Sequence, residues 1–478
     1  MHEHEPTNAT SSALGGGVLT RRTLLAAGAV SAAGLLLTAG AKPTPGGWQT
    51  RTWDAIVIGA GAAGLGAARR LADEGRSVLV LEARNRIGGR MWTDRTSMSI
   101  PIERGAELVH GSTVSTWQLI DQLGLSTHRQ TKLFGRLRPG TPWIDGFHYE
   151  SWHFPLGAPT YPNGLPTPVE GETALHWLQR VGISRDNYPI MLAAIEVDTE
   201  QFDVLPAKDA VKVVETALGY QGLTGPMPPE EYGDYRVIGG YDQVLQPLVA
   251  GLPLLLNARV HTVEHAPGHV EVHSTQGSYT AKSLVVALPG GVLKHGDVVF
   301  DPPLPPAKVN GFQAISYLPV FKGILEFAHP VLPVGHPVPQ GWDILTTFSK
   351  NPPSNWNASV GTPGFGGEVI VSWMTGGKAQ ELLDLPESQR FAAALDNLRT
   401  ATGDQGLQYT KSSTYDWSKD EFARGAYPGP FSRWNANGLY APVDETIFWA
   451  GMVTSTIAWS RDTGVDAANA ALTALAGR

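Results

Sequence analysis

The run Asp54-Ala55-Ile56-Val57-Ile58-Gly59-Ala60-Gly61-Ala62-Ala63-Gly64 constrains the fold more than any other part of the chain. A short apolar strand passes straight into Gly-x-Gly-x-x-Gly, and the Ala/Leu/Arg-rich stretch that follows, ending near Gly75, has helical character. Gly59 permits the tight turn, Gly61 lets backbone approach a pyrophosphate, and Gly64 lets helix and strand pack closely. The helix start then presents unpaired amides to phosphate oxygens. A second apolar strand, Ser77 to Leu81, ends at Glu82, 18 residues after Gly64 and placed to accept hydrogen bonds from ribose hydroxyls. The complete unit predicts a nucleotide site.

Composition narrows the class. With 478 residues and 42% apolar side chains the chain can bury large cores in two or three domains. The absence of cysteine excludes disulfides, thiolate catalysis, Cys-zinc and iron-sulfur ligation, and any thioether bond to a cofactor. A formal charge of -8 offers no basic stripe to replace the counterions of nucleic acid, whereas small cations are compatible partners.

At the amino end, Thr20-Arg21-Arg22-Thr23-Leu24-Leu25 opens the apolar run Leu24 to Ala39, whose 16 residues fall short of the ~20 that cross a bilayer. Ala39-Gly40-Ala41 supplies a small-x-small cleavage pattern. Residues 1–41 are therefore expected to be a twin-arginine-type export signal, recognised by that machinery and cleaved near Ala41, leaving a periplasmic or secreted protein without a permanent membrane span.

Beyond Glu82, Ala83-Arg84-Asn85-Arg86-Ile87-Gly88-Gly89-Arg90 is followed by Gly105-Ala106-Glu107-Leu108-Val109-His110-Gly111. With Gly59 to Gly64, these segments resemble the flavin monoamine and polyamine oxidase family, whose members bind FAD. The resemblance implies cofactor contacts from Gly59, Gly61, Ala63, Gly64, Glu82, Ala83, Arg84, Gly89, Arg90, Gly105 and Ala106. The paired glycines let backbone reach the diphosphate, and Arg90 offers it a bidentate fork. The resemblance also implies that the backbone of Val260 pairs with adenine.

Phe321-Lys322-Gly323-Ile324-Leu325-Glu326-Phe327 is similar to the family's Lys-x-x-Leu-x-Phe strand, which gives Lys322 the role of holding a water near flavin N5. Trp417 and Gly425-Ala426-Tyr427-Pro428-Gly429 resemble the segment that sets aromatic walls beside the flavin, with Tyr427 guiding the amine. Phe448-Trp449-Ala450-Gly451 resembles the family's Phe-Ala-Gly-Glu pattern, but Met452 stands where an acid is usual. That removes a charge-assisted bond of about 1.5 to 3 kcal/mol, for which a water or the Thr454 hydroxyl can substitute. The family's Gly-Tyr-x-x-Gly becomes Ser460-Arg461-Asp462-Thr463-Gly464, so Arg461 takes the place of a cage tyrosine and Trp459 is its nearest aromatic substitute. The amides of Thr463 and Gly464 are expected to face the flavin.

Pattern and resemblance together predict an α/β protein. A Rossmann-like FAD-binding domain would be built from discontinuous segments 50–111, 231–295 and 405–478. An α+β substrate-binding domain, with a mixed sheet and a helical cap, would come from 112–230 and 296–404. The cap is expected because helical periodicity flanks a Pro/Gly/aromatic stretch, Pro139 to Pro168, that regular strands cannot accommodate. Ile315–Phe327 and Glu368–Met374 read as strands flooring a pocket, Ser388–Leu398 as a helix beneath them, and Gly464–Leu475 as the final helix. His269 and His273 would stand roughly 13 Å apart along one strand face at ~3.3 Å per residue, too far for one zinc, and no metal is expected.

The resemblance implies an oxidoreductase that moves hydride from the carbon alpha to an amine onto FAD, yielding an imine, then an aldehyde, with oxygen becoming hydrogen peroxide; without cysteine the FAD is expected to be noncovalent or at least not cysteine-linked. His110 can orient the amine through a ring nitrogen. Glu107, and farther on Glu196 and Glu200, can receive distal ammonium groups, with Trp459 and Arg461 completing the pocket. Polyamines or biogenic amines are the expected substrates. An L-amino-acid oxidase using Arg461 as a carboxylate clamp, a flavin desaturase and an FAD scaffold without turnover stay open.

Overall fold

The structure, a computed structural model, describes residues 45–136, 142–145, 165–183, 207–208, 211, 233–347, 352–428 and 438–477. The expected export signal and much of the expected cap, Glu196 and Glu200 included, lie outside the described residues. Among the described residues, no helix is long and apolar enough to cross a membrane.

The first apolar run forms the strand Thr52–Ile58, paired in parallel with Val78–Leu81 on one side and Gly277–Val286 on the other. Leu254–Leu255 extends this parallel set beyond Val78–Leu81, and Ile447–Trp449 pairs in parallel with the end of Gly277–Val286. Both faces are covered: Ala55, Ile56, Leu79, Val80, Leu284 and Val285 are wholly buried. That is why these strands read as unbroken apolar runs rather than alternating ones. An antiparallel hairpin, Val260–Ala266 with His269–Ser274, and Val299–Asp301 complete the sheet. Register brings Ile58, Leu81, Val286 and Trp449 level. The chain thus leaves neighbouring parallel strands along one edge, through Gly59, Glu82, Ala287 and Ala450, and it is at such edges that open α/β sheets bind ligands.

Two helices, Ala62–Asp73 and Ile457–Ala476, press together beside this sheet. A Cβ on Gly464 would lie 2.0 Å from the Ala63 carbonyl oxygen, and one on Gly66 would lie 2.9 Å from that of Arg461. The final helix begins at Ile457, about two turns before the predicted start at Gly464, where the Thr456 hydroxyl caps it by accepting from the Trp459 amide at 3.2 Å. Gly464 serves close helix packing and does not mark a helix boundary.

The second sheet has seven strands in the order Lys411–Thr414, Val320–Phe327, Glu368–Thr375, Ser354–Asn357, Ile344–Thr347, Leu133–Arg136 and Ile144–Asp145. Lys322 lies opposite Trp373 in the antiparallel pair predicted to floor the pocket. The helix Glu387–Thr402 packs Phe391, Leu395 and Leu398 into one buried cluster with Leu325, Phe327 and Ile370. The expected cap region is not purely helical. It adds two strands to this sheet and sends Thr127–Arg129 into a three-stranded sheet with Leu108–His110 and Asp234–Val237. Leu133–Arg136 and Thr127–Arg129 pair with strands far along the chain, while Ile144–Asp145 pairs with its near neighbour Leu133–Arg136.

Candidate active site

A cavity of about 460 Å³ is lined by both large sheets. Its walls at the parallel-sheet edge include Gly59, Gly61, Ala63, Glu82, Ala83 and Arg84. Gly89, Arg90, Gly105, Ala106, Val260, Trp417 and Gly451 continue the lining. Gly64 lies just behind it, where an added Cβ would come within 1.8 Å of the Gly59 carbonyl oxygen. Gly61 differs: a Cβ there would meet nothing closer than the Gly88 carbonyl oxygen at 3.9 Å, so its bareness leaves space open. Gly61 also caps the helix Ala62–Asp73 with no side-chain hydrogen bond to its first-turn amides.

Glu82 is buried at the end of its strand. Its carboxylate accepts from the Ala60 amide at 2.7 Å and from the Arg84 amide at 2.8 Å. Burial pushes this carboxyl up, against those two hydrogen bonds. Each oxygen keeps a lone pair that can accept a hydroxyl from the cavity. Arg84 makes a bidentate ion pair with Asp420, at 2.8 and 2.5 Å, and lies over Trp417 and Phe422 at 5.8 and 5.3 Å from their ring centroids. Burial alone raises the Asp420 carboxyl, but the Arg84 guanidinium and the Tyr415 hydroxyl outweigh it and hold the group below its ordinary range. Arg90 donates to the Ala426 carbonyl at 2.7 Å, and the Trp417 indole to that of Arg104 at 2.9 Å. A bare helix N-terminus with open space at Gly61 and a buried carboxylate at a strand end fit the diphosphate and ribose of a dinucleotide.

Where the cavity meets the second sheet, Lys322 donates to Glu107 Oε2 at 2.7 Å and to the Gly105 carbonyl at 3.0 Å. The lysine and glutamate side chains are only 9% and 4% exposed. Its Nζ sits 5.5 Å over the Trp356 ring, and Trp356 and Trp373 both line the cavity. His110 is half-exposed on the cavity wall, its Nδ1 2.6 Å from an oxygen of the buried Asp234, directly opposite in the strand pair.

Other predicted site residues stand differently. Glu107 is ion-paired with Lys322, so its charge is already matched. Met452 is wholly buried, and its carbonyl accepts the Tyr317 hydroxyl at 2.8 Å. Thr463 and Gly464 do not line the cavity. They lie inside the final helix, whose interior amides bond back to the preceding turn, and the Thr463 hydroxyl instead receives the Gly451 amide at 3.1 Å. The cavity meets that helix at Thr456, Ile457 and Ser460, with Thr454 bonded to the Ser460 hydroxyl at 2.5 Å. Trp459 and Arg461 are not among the lining residues. Arg461 reaches the Ser115 carbonyl at 3.2 Å and Gln118 Oε1 at 3.3 Å. The backbone of Tyr427 pairs with Leu318, which ties that segment to the start of the Lys322 strand.

Sequence reasoning missed Asp234, Asp420, Trp356 and Trp373. Strand pairing and loop return bring each to the site, and no local motif marks them. It also missed the surface group Glu264, Glu271 and His273, whose ligand-capable atoms lie within 4.8 Å of one another across a hairpin.

The family described as flavin containing amine oxidoreductase matches residues 62–208 and 225–472. Lysine-specific histone demethylase 2 of Homo sapiens is 26% identical over 84% of this chain and 50% of its own length. Putrescine oxidase of Kocuria rosea is 28% identical over 79% of this chain and 84% of its own. A solved putrescine oxidase bound to putrescine superposes with a TM-score of 0.70 at 21% identity, covering 88% of this chain and 99% of that one. The chain spans about half the length of the first two curated relatives.

Proposed function

The chain belongs to the flavin-containing amine oxidoreductase family, and from that premise we propose that it binds FAD noncovalently and oxidises small alkylamines, polyamines or biogenic amines, to imines with O2 as acceptor. The observation that carries this reading is one continuous cavity with a dinucleotide cradle in its walls and the buried Lys322–Glu107 pair beside it. FAD in that cavity supplies the hydride acceptor and, afterwards, the electrons for O2. Gly61 and the amides at the start of Ala62–Asp73 hold the diphosphate, and the Glu82 carboxylate holds ribose hydroxyls. Lys322 has three N–H donors. Two are taken by Glu107 and Gly105, which aims and immobilises the third for a water in the cavity. Trp356 and Trp373 exclude bulk water and attract an incoming cation by about 0.5 to 2 kcal/mol. His110, fixed through Nδ1 by Asp234, orients the amine.

The match to a putrescine oxidase and the acidic net charge favour a cationic substrate. Arg461, engaged by Ser115 and Gln118, is not placed to clamp a substrate carboxylate. Anaerobic mixing of the FAD-loaded enzyme with a panel of diamines, monoamines and amino acids tests the reading. Flavin bleaching by amines without a carboxylate, followed by peroxide in air, is expected; bleaching by amino acids alone, or by nothing, would sink it. Export through the Arg21-Arg22 segment belongs to the same reading. An uncleaved chain confined to the cytoplasm of a twin-arginine-competent host would refute that part.

A further inference from the structure

A second chamber, of about 220 Å³, shares one lining residue with the active-site cavity, Glu107. Glu103 and Arg236 line it too, and all three side chains belong to residues only 6% exposed. Charge in such surroundings is costly unless matched. Glu107 is matched by Lys322. Glu103 accepts from the Tyr241 amide at 2.7 Å and from the Thr93 hydroxyl at 2.9 and 3.0 Å, but no cation pairs with it among the described residues. Arg236 donates to the Val360 carbonyl and leaves its buried Nε without a protein partner. The chamber wall is mostly apolar, but the Glu103 carboxylate and the unsatisfied Arg236 Nε give it the polar partners that hold ordered water.

We propose that Glu103 is the proton store of the active site, receiving by way of Glu107 the proton an alkylammonium must shed and returning it for oxygen reduction. This rests on the amine-oxidase reading above. The N–H bond of the bound ammonium breaks, its electron pair stays on nitrogen, and the proton comes to rest on the Glu103 carboxylate. The C–H bond then breaks with its electron pair going to FAD as hydride. On reoxidation O2 takes two electrons and two protons, one that left the substrate with the hydride and one from Glu103, giving hydrogen peroxide. Burial favours this use, pushing the Glu103 carboxyl up to about 7 against the Tyr241 hydrogen bond, with the Glu107 charge adding to the rise. A carboxyl poised near neutrality can both take and return a proton. The other ionisable groups facing it are Lys322, Arg236, the Tyr241 phenol and Arg95, the last already paired with Asp242.

The test mixes holoenzyme with putrescine anaerobically at about pH 8 in weak buffer with an indicator dye. In wild type the dye signal is expected to lag flavin bleaching while the proton rests on Glu103, whereas in Glu103→Gln about one proton per FAD reduced is expected to appear in step with bleaching. Proton release in step with bleaching in wild type, or an equal lag in Glu103→Gln, would overturn the store while leaving the amine-oxidase reading intact. Failure of every amine to bleach the flavin overturns both. An independent readout needs no turnover. The infrared spectrum of oxidised holoenzyme should gain a buried carboxylic-acid C=O band as pH falls through about 7. That band should be missing in Glu103→Gln, and its absence from wild type overturns the proposal.

Discussion

Lys322 and Glu107 form a pair whose worth can be measured without any substrate. Their side chains are 9% and 4% exposed and their charged atoms 2.7 Å apart. Removing one partner strands the other charge in the interior, which costs about 3 to 5 kcal/mol, whereas replacing both with apolar side chains of similar volume is near neutral. Lys322→Met leaves the Glu107 carboxylate without its cation. Glu107→Leu leaves the ammonium with only the Gly105 carbonyl, at 3.0 Å. At ~2 °C per kcal/mol for a large domain, each single variant should unfold about 6 to 10 °C below wild type. The double variant should recover to within ~3 °C. The measurement is a thermal unfolding scan at one fixed rate and one saturating FAD concentration, so that kinetics and mass action are common to all four proteins. Additive losses, with the double variant as low as the sum of the singles, would show that the two side chains are not coupled. The account of how Lys322 is aimed would then fail.

Two glycines of the same fingerprint should part company. Gly61→Ala has room for its methyl group and an ordinary φ of -78°, so it should fold normally but bind FAD at least ~10-fold more weakly in an absorbance titration. Gly64→Ala, with a Cβ 1.8 Å from the Gly59 carbonyl oxygen, should fail to accumulate as folded protein; wild-type FAD affinity in the first or wild-type stability in the second would refute this division. Glu103 should also govern how stability varies with pH. Its folded value of about 7 lies above the unfolded ~4.3, so its contribution is fully present below about pH 4 and is lost as pH rises through about 7. Glu103→Gln should therefore gain roughly 2 to 3 kcal/mol on wild type between about pH 5 and 8 in denaturant titrations, and parallel pH profiles would count against it.

The cofactor end of the site was legible because its chemistry is local. Gly59 to Glu82 is one strand-turn-helix-strand unit, and the conformations it demands are written in adjacent residues. At the reacting end Lys322 and His110 were legible and line the cavity, but their partners were not. Glu107 looked like a free anion for a substrate ammonium because its partner, Lys322, lies 215 residues away. Asp234 is brought to His110 across 124 residues by strand pairing that no motif announces. Arg461 showed its charge in the sequence, but the direction in which the final helix points it depends on where that helix starts. A glycine inside the helix, needed for close packing, masked the start. Met452 departs from the expected acid because its side chain is enclosed among apolar residues and only its carbonyl is used for bonding.

The strand Ile447–Trp449 completes the edge that Thr52–Ile58 begins, and Gly451, just after it, closes on Ala63. The cradle is therefore unfinished while the polypeptide is still emerging from the ribosome. A nascent fragment ending before Ile447 presents the glycine fingerprint yet lacks the wall that retains the flavin, and it is expected to stay colourless. Uptake of the yellow cofactor thereby reports that translation has passed Gly451.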